Sequence, residues 1–115
     1  MKRGEVYWAN LAPRSGSEQT GKRPVIIVSN DGFNQAAAWQ SLIVVPITTS
    51  STQARRGPTV VEIRVGLAGL SRNSVAICHQ ITTLDRAKLT KRIGALSPDL
   101  VDSLADALKV ALDLD

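Results

Sequence analysis

Hydrophobic positions recur along this chain with the spacing of strands rather than helices. Residues 4–9, Gly-Glu-Val-Tyr-Trp-Ala, are rich in β-formers and predict a short strand. The run Val25-Ile26-Ile27-Val28 has no polar interruption, so residues 24–30 predict a strand buried on both faces. Residues 41–48 predict a second such strand, in which Pro46, lacking an N–H, marks an edge, a bulge or the strand end. Residues 59–65 alternate, with Val61, Ile63 and Val65 on a core face and Glu62 and Arg64 on the other. Residues 74–84 predict one or two further strands, residues 85–89 a helical turn and residues 92–96 a last strand.

The segments between these runs are polar and punctuated. Residues 10–22 hold Pro13, Gly16 and Gly21 and read as a loop. Residues 31–40 read as a loop with at most a short helix, and residues 49–58 as an exposed basic loop ending in Arg55-Arg56-Gly57-Pro58. Only the end of the chain changes period. Ser97 is a good N-cap, Pro98 suits the first helical position, and Asp99 and Asp102 suit the positive end of a helix dipole. Leu100, Leu104, Leu108 and Leu112 form one stripe, with Val101, Ala105 and Ala111 beside it, so residues 98–112 predict an amphipathic helix. Five to seven short strands and one C-terminal helix indicate a mainly β small barrel.

The 115 residues are expected to form one domain, residues 1–115, large enough for a core without staples. A lone cysteine, Cys78, excludes an internal disulfide framework and fits a reducing cytoplasm. No signal-peptide pattern opens the sequence and no apolar run is long enough to span a membrane. Charge is unevenly placed: residues 1–94 carry a surplus of eight positive charges and residues 95–115 a deficit of four. A basic body attracts polyanions by steering and counterion release, although some soluble proteins are simply basic.

Candidate chemistry narrows quickly. The single histidine, His79, adjoins the single cysteine, and neighbours on a strand face opposite ways, so no metal site is expected there. One histidine also excludes a two-histidine ribonuclease mechanism. A Ser-His-Asp arrangement lacks a nucleophile-elbow context, and phosphate-loop glycine motifs are absent. The loop Gly16-Ser17-Glu18-Gln19 leads to Arg23-Pro24 at the mouth of a buried strand. Glu18 is a candidate general base, Ser17 and Gln19 candidate phosphate or base contacts, and Arg23 a candidate for stabilising charge on a phosphorane, since a guanidinium stays protonated. Thr48 and Thr49 bring hydroxyl groups to the end of the next buried strand. Arg23 and Thr48 meet at one rim only if the two strands are antiparallel. Each of these residues, taken alone, also fits an ordinary solvated loop or strand end.

The ordered set goes further. Arg3-Gly4-Glu5-Val6-Tyr7-Trp8, Pro13, Gly16-Ser17-Glu18-Gln19, Arg23-Pro24-Val25, Ser29-Asn30, Val45-Pro46-Ile47-Thr48-Thr49 and Gln80-Ile81-Thr82-Thr83-Leu84-Asp85 resemble the MazF/PemK family of type II toxin–antitoxin toxins over nearly the whole chain. The resemblance implies an SH3-like small barrel of the MazF/CcdB type with a C-terminal helix, assembled as a homodimer in the cytoplasm. It implies a sequence-specific, cofactor-free and metal-independent endoribonuclease that cuts single-stranded RNA through the ribose 2′-hydroxyl, leaving a 2′,3′-cyclic phosphate and a 5′-hydroxyl. The family's catalytic arginine falls on Arg23, its threonine on Thr48 and its loop glutamate on Glu18. Ser17, Gln19, Thr49 and Gln80 match positions near the substrate, and the variable loop with Arg55 and Arg56 is expected to tune RNA recognition. The implied partner is a MazE/PemI-like antitoxin with a disordered acidic tail. No role carries over for His79. Of the few aromatic side chains that could stack on bases, Trp8 is expected in the core and Trp39 on the surface. Two rival readings are a CcdB-like gyrase poison and a plain RNA-binding barrel. The acidic, non-aromatic ending Leu112-Asp113-Leu114-Asp115 argues against the first.

Overall fold

The computed structural model describes residues 1–11, 21–49 and 57–115. Among these residues, seven antiparallel strands make one curled sheet. They are β1 (Glu5–Asn10), β2 (Lys22–Ile27), β3 (Ser41–Thr48), β4 (Val60–Ile63), β5 (Ser74–Ile77), β6 (Thr82–Asp85) and β7 (Leu89–Ala95). The strand order is β4-β5-β3-β2-β1-β7, with β6 also pairing β3. Two helices complete the fold, the single turn α1 (Asp31–Asn34) and α2 (Pro98–Ala111).

The uninterrupted apolar run in β2 has a direct cause. Ile26 faces one core, formed with Val6, Val45, Ile47 and Ile63 and covered by Leu104 and Ala107 of α2. Val25 and Ile27 face a second core with Ala9, Leu11, Leu42, Val44, Leu84 and Leu89. Successive side chains of a strand point to opposite faces, so a strand between two cores has no polar face. Val6, Ile26 and Val45 are in register across β1, β2 and β3 and form one buried row.

Pro46 lies inside β3 rather than at its end. On the side away from β2, residues Ser41–Val44 pair with β6 and Ile47–Thr48 with β5. Pro46 falls at the changeover, where a missing donor interrupts the least pairing.

The helix begins as its sequence predicts: Ser97 caps it by accepting from the Leu100 N–H at 3.3 Å. Its buried stripe is Leu104 and Ala107, flanked by Leu100, Val101, Leu108 and Ala111. Leu112, expected on that stripe, sits past the last turn in solvent. Val65 is also displaced from its expected core face. β4 ends at Ile63, the chain turns, and Val65 is 55% exposed. The expected strand through Cys78 and His79 breaks there into a short 3-10 turn, Cys78–Gln80. Cys78 is buried, and desolvation pushes its thiol pKa up to about 11, so it is a core group with little thiolate character. His79 is exposed, with Nδ1 2.9 Å from the Thr59 hydroxyl.

Two glycines bring the ends of the sheet together. The turn after β4 carries Gly69 at φ +76°, and a Cβ there would collide with the backbone of Ile93 in β7. A Cβ on Gly94 would in turn fall 2.6 Å from the Ala68 backbone. Only residues without side chains allow this contact between the 66–70 turn and β7.

Candidate active site

Arg23 and Thr48 come together because β2 and β3 are antiparallel. Val25 pairs with Pro46 at the end of the β2–β3 ladder, so the start of β2, with Arg23, and the end of β3, with Thr48, lie at the same edge. Pro24 restricts the residue before it to extended backbone, which keeps Arg23 in line with the ladder. On its other side Arg23 pairs with Ala9 of β1, and Thr48 pairs with Val75 of β5. Each residue is thus held in a ladder by a neighbouring strand, the rigid support a reacting group requires.

Their side chains line one cleft of about 360 Å³ at the mouth of the barrel. Lys22, Arg23 and Arg72 give it three cations, and no carboxylate is among its lining residues. Thr48, Thr49, Ser71 and Ser74 supply hydroxyl groups. Cationic and hydroxyl donors converging in one cleft suit a phosphodiester. Thr48 is 6% exposed while Arg23 is open to solvent, so the arginine can follow a ligand and the threonine cannot.

Trp8 departs from its expected place. It shares the inward face of β1 with Val6, but at the open end of the barrel, where it is 41% exposed and forms part of the cleft. Paired with Pro24 across β1 and β2, it offers a ring surface beside the cations. Trp39 is exposed as expected, stacked on Phe33 with ring centroids 4.6 Å apart, but it does not line the cleft.

The other candidate residues divide. Thr49 lines the cleft with Thr48. Gln80 lies in the 3-10 turn that follows β5 and does not line it. Ser17, Glu18, Gln19, Arg55 and Arg56 lie outside the described residues. The Leu11 N–H donates to the Gly21 carbonyl at 2.8 Å, next to Lys22 and Arg23. Lys22, Arg72, Ser71 and Ser74 are cleft residues that sequence reading passed over. Adjacency to Arg23 could have flagged Lys22. Nothing local marks Arg72, which reaches the cleft only because the 66–70 turn packs on β7. Among the described residues no three His, Cys, Asp or Glu side chains cluster as metal ligands, and no helix is long and apolar enough to cross a membrane.

Residues 2–112 match the model of the PemK-like, MazF-like toxins of type II toxin–antitoxin systems. The chain is 39% identical over 114 residues to the endoribonuclease EndoA of Bacillus subtilis strain 168, covering 99% of this chain and 96% of that protein. A mycobacterial endoribonuclease, solved in complex with its cognate antitoxin, superposes with a TM-score of 0.81 at 28% identity, covering 100% of this chain and 97% of that one. MazF of Deinococcus radiodurans, at 22% identity, shares the fold with a TM-score of 0.81, covering 99% of this chain and 97% of that one. With the match spanning nearly every residue and the cleft holding the arginine and threonine of the sequence motif, the chain belongs to the PemK/MazF family of toxins of type II toxin–antitoxin systems.

Proposed function

We propose that this protein is the toxin of a type II toxin–antitoxin pair and a sequence-specific, metal-independent endoribonuclease that cuts single-stranded RNA. The observation that carries the reading is the placement of Arg23 and Thr48 together in a cleft that Lys22 and Arg72 also line. The endoribonuclease relative at 39% identity supports the same chemistry.

In this mechanism the ribose 2′-oxygen attacks the adjacent phosphorus and the P–O5′ bond breaks, giving a 2′,3′-cyclic phosphate and a free 5′-hydroxyl. The 2′-hydroxyl proton passes to Glu18, and the departing 5′-oxygen takes a proton from water. Arg23 stabilises the charge that builds on the non-bridging oxygens, and the Thr48 hydroxyl donates to one of them. Thr49, Ser17, Gln19, Gln80, Arg55 and Arg56 contact the RNA around the cut, and Trp8 gives a base a ring to stack on. The protein acts as a single 115-residue domain, paired as a homodimer in the cytoplasm. It is held inactive by a MazE/PemI-like antitoxin whose acidic tail occupies the cationic cleft.

The test is incubation of the purified protein with a defined single-stranded RNA in EDTA, followed by mapping of fragment ends. Cyclic phosphate and 5′-hydroxyl ends, absent when the cut-site ribose is replaced by deoxyribose, are expected. RNA that is bound but left whole would instead establish a plain RNA-binding barrel.

A further inference from the structure

Thr48, Thr49 and Ser74 border a second depression, of about 590 Å³, that excludes Trp8 and Arg23 and runs to Glu62, Arg64, Val65 and Asn73. Its charge differs from that of the first cleft. Among the described residues, the first has three cations and no acid; the second has one cation, Arg64, one carboxylate, Glu62, and an amide. A carboxylate in the wall opposes a phosphate but tolerates a base edge, which carries N–H donors as well as acceptors. The two depressions meet at the threonine beside the scissile bond. We propose that the second seats a nucleobase next to the cut and that Asn73 reads it.

The polarity of Asn73 fixes what it reads. Its Oδ1 accepts from the Val65 N–H at 2.8 Å, which ties the amide to the turn after β4. The group left for a ligand is the Nδ2 amino group, a donor. Asn73 therefore selects a base that presents a carbonyl oxygen on its Watson–Crick edge, the edge exposed in single-stranded RNA.

This inference rests on the RNA-cleavage reading above, and its test separates the two. Asn73→Asp keeps the oxygen that accepts from Val65 and replaces the donor with an acceptor. Wild type and variant are incubated in EDTA with a randomised single-stranded RNA, and all cut sites are sequenced. The expected result is an unchanged melting midpoint and cutting at the wild-type motif lowered about tenfold or more. At one position flanking the cut, preference moves toward adenine, the base with an amino donor and no carbonyl oxygen. Asn73→Ala, which removes the donor, loses discrimination at that position and serves if the aspartate variant unfolds. Cutting by the wild type with the same sequence profile in both variants overturns this inference alone. RNA left intact by the wild type overturns it together with the reading it rests on.

Discussion

Gly94 lies so close to Ala68 that a Cβ on the glycine would fall 2.6 Å from the Ala68 backbone carbon and oxygen. The contact joins β7 to the turn after β4 and thereby positions Leu70, Ser71 and Arg72 as one wall of the cleft. Gly94→Ala should therefore destabilise the fold by roughly 3 kcal/mol, the range of a forced overpacking against backbone. Urea midpoints measure it. The same variant, assayed where it is still folded, should also lose RNA affinity because Arg72 is displaced. A folded variant with wild-type stability would mean that the turn does not rest on β7.

Arg23 and Thr48 separate stability from activity. Arg23 is an exposed residue, so Arg23→Ala should leave the unfolding midpoint within about 0.5 kcal/mol of wild type. Cleavage should fall by roughly 100- to 1,000-fold, the cost of one lost transition-state donor. Arg23→Lys keeps the charge without the two-pronged geometry and should recover only part of the rate. Thr48→Ser should retain activity that Thr48→Ala loses. Single-turnover rates on a defined RNA check each variant, and wild-type cutting by Arg23→Ala would remove this residue from the mechanism.

Much of this was legible because the relevant patterns are local. The apolar run at residues 25–28 announced a strand between two cores, and Ser97-Pro98 announced the start of α2. The meeting of Arg23 and Thr48 in one cleft followed once β2 and β3 were known to be antiparallel. Trp8 shows the limit. Its place in a strand pointed to the core, but a strand pattern carries no information about where a barrel opens, so its exposure was not foreseeable. Val65 failed for a related reason, since the alternating pattern continues past the residue where the backbone turns. Arg72 and Asn73 owe their positions to Gly69 and Gly94, a contact between segments far apart in sequence that no local pattern encodes.

Arg86 holds the segment between α1 and β3 by its backbone. Its guanidinium donates to the carbonyls of Asn34 at 2.9 Å, Trp39 at 3.0 Å and Phe33 at 3.3 Å. Lysine cannot reproduce this fork, because its ammonium is one point on a flexible stem. Arg86→Lys and Arg86→Ala should both cost roughly 2 kcal/mol, as expected for lost hydrogen bonds to a charged donor. Amide exchange should rise across residues 33–40, while the cleft, lined by other residues, keeps its activity. Protection of those amides at wild-type levels in Arg86→Ala would show that α1 and its aromatic pair hold the segment unaided.

The N-terminal residues are tied down by two carboxylates, and this gives the fold an acid limit. Burial alone would raise the Glu5 pKa, but hydrogen bonds from Arg92 at 2.7 Å and the Lys2 N–H at 2.6 Å, with the Arg92 charge, bring it below its ordinary 4.5. Asp31 is held below its ordinary 3.8 chiefly by the Arg3 N–H at 2.6 Å, aided by Asn34 at 3.0 Å. Lowered pKa values in the folded state mean that the unfolded chain binds more protons in this range, so stability rises with pH there. The contribution is fully present above the ordinary carboxylate values and is lost as pH falls through the folded ones. Melting midpoints taken from about pH 6 down to about pH 2.5 should therefore drop most steeply below about pH 4.5. Glu5→Gln with Asp31→Asn should be less stable than wild type at neutral pH yet lose less on acidification. Equal acid slopes for the double variant and the wild type would assign the acid limit to other carboxylates.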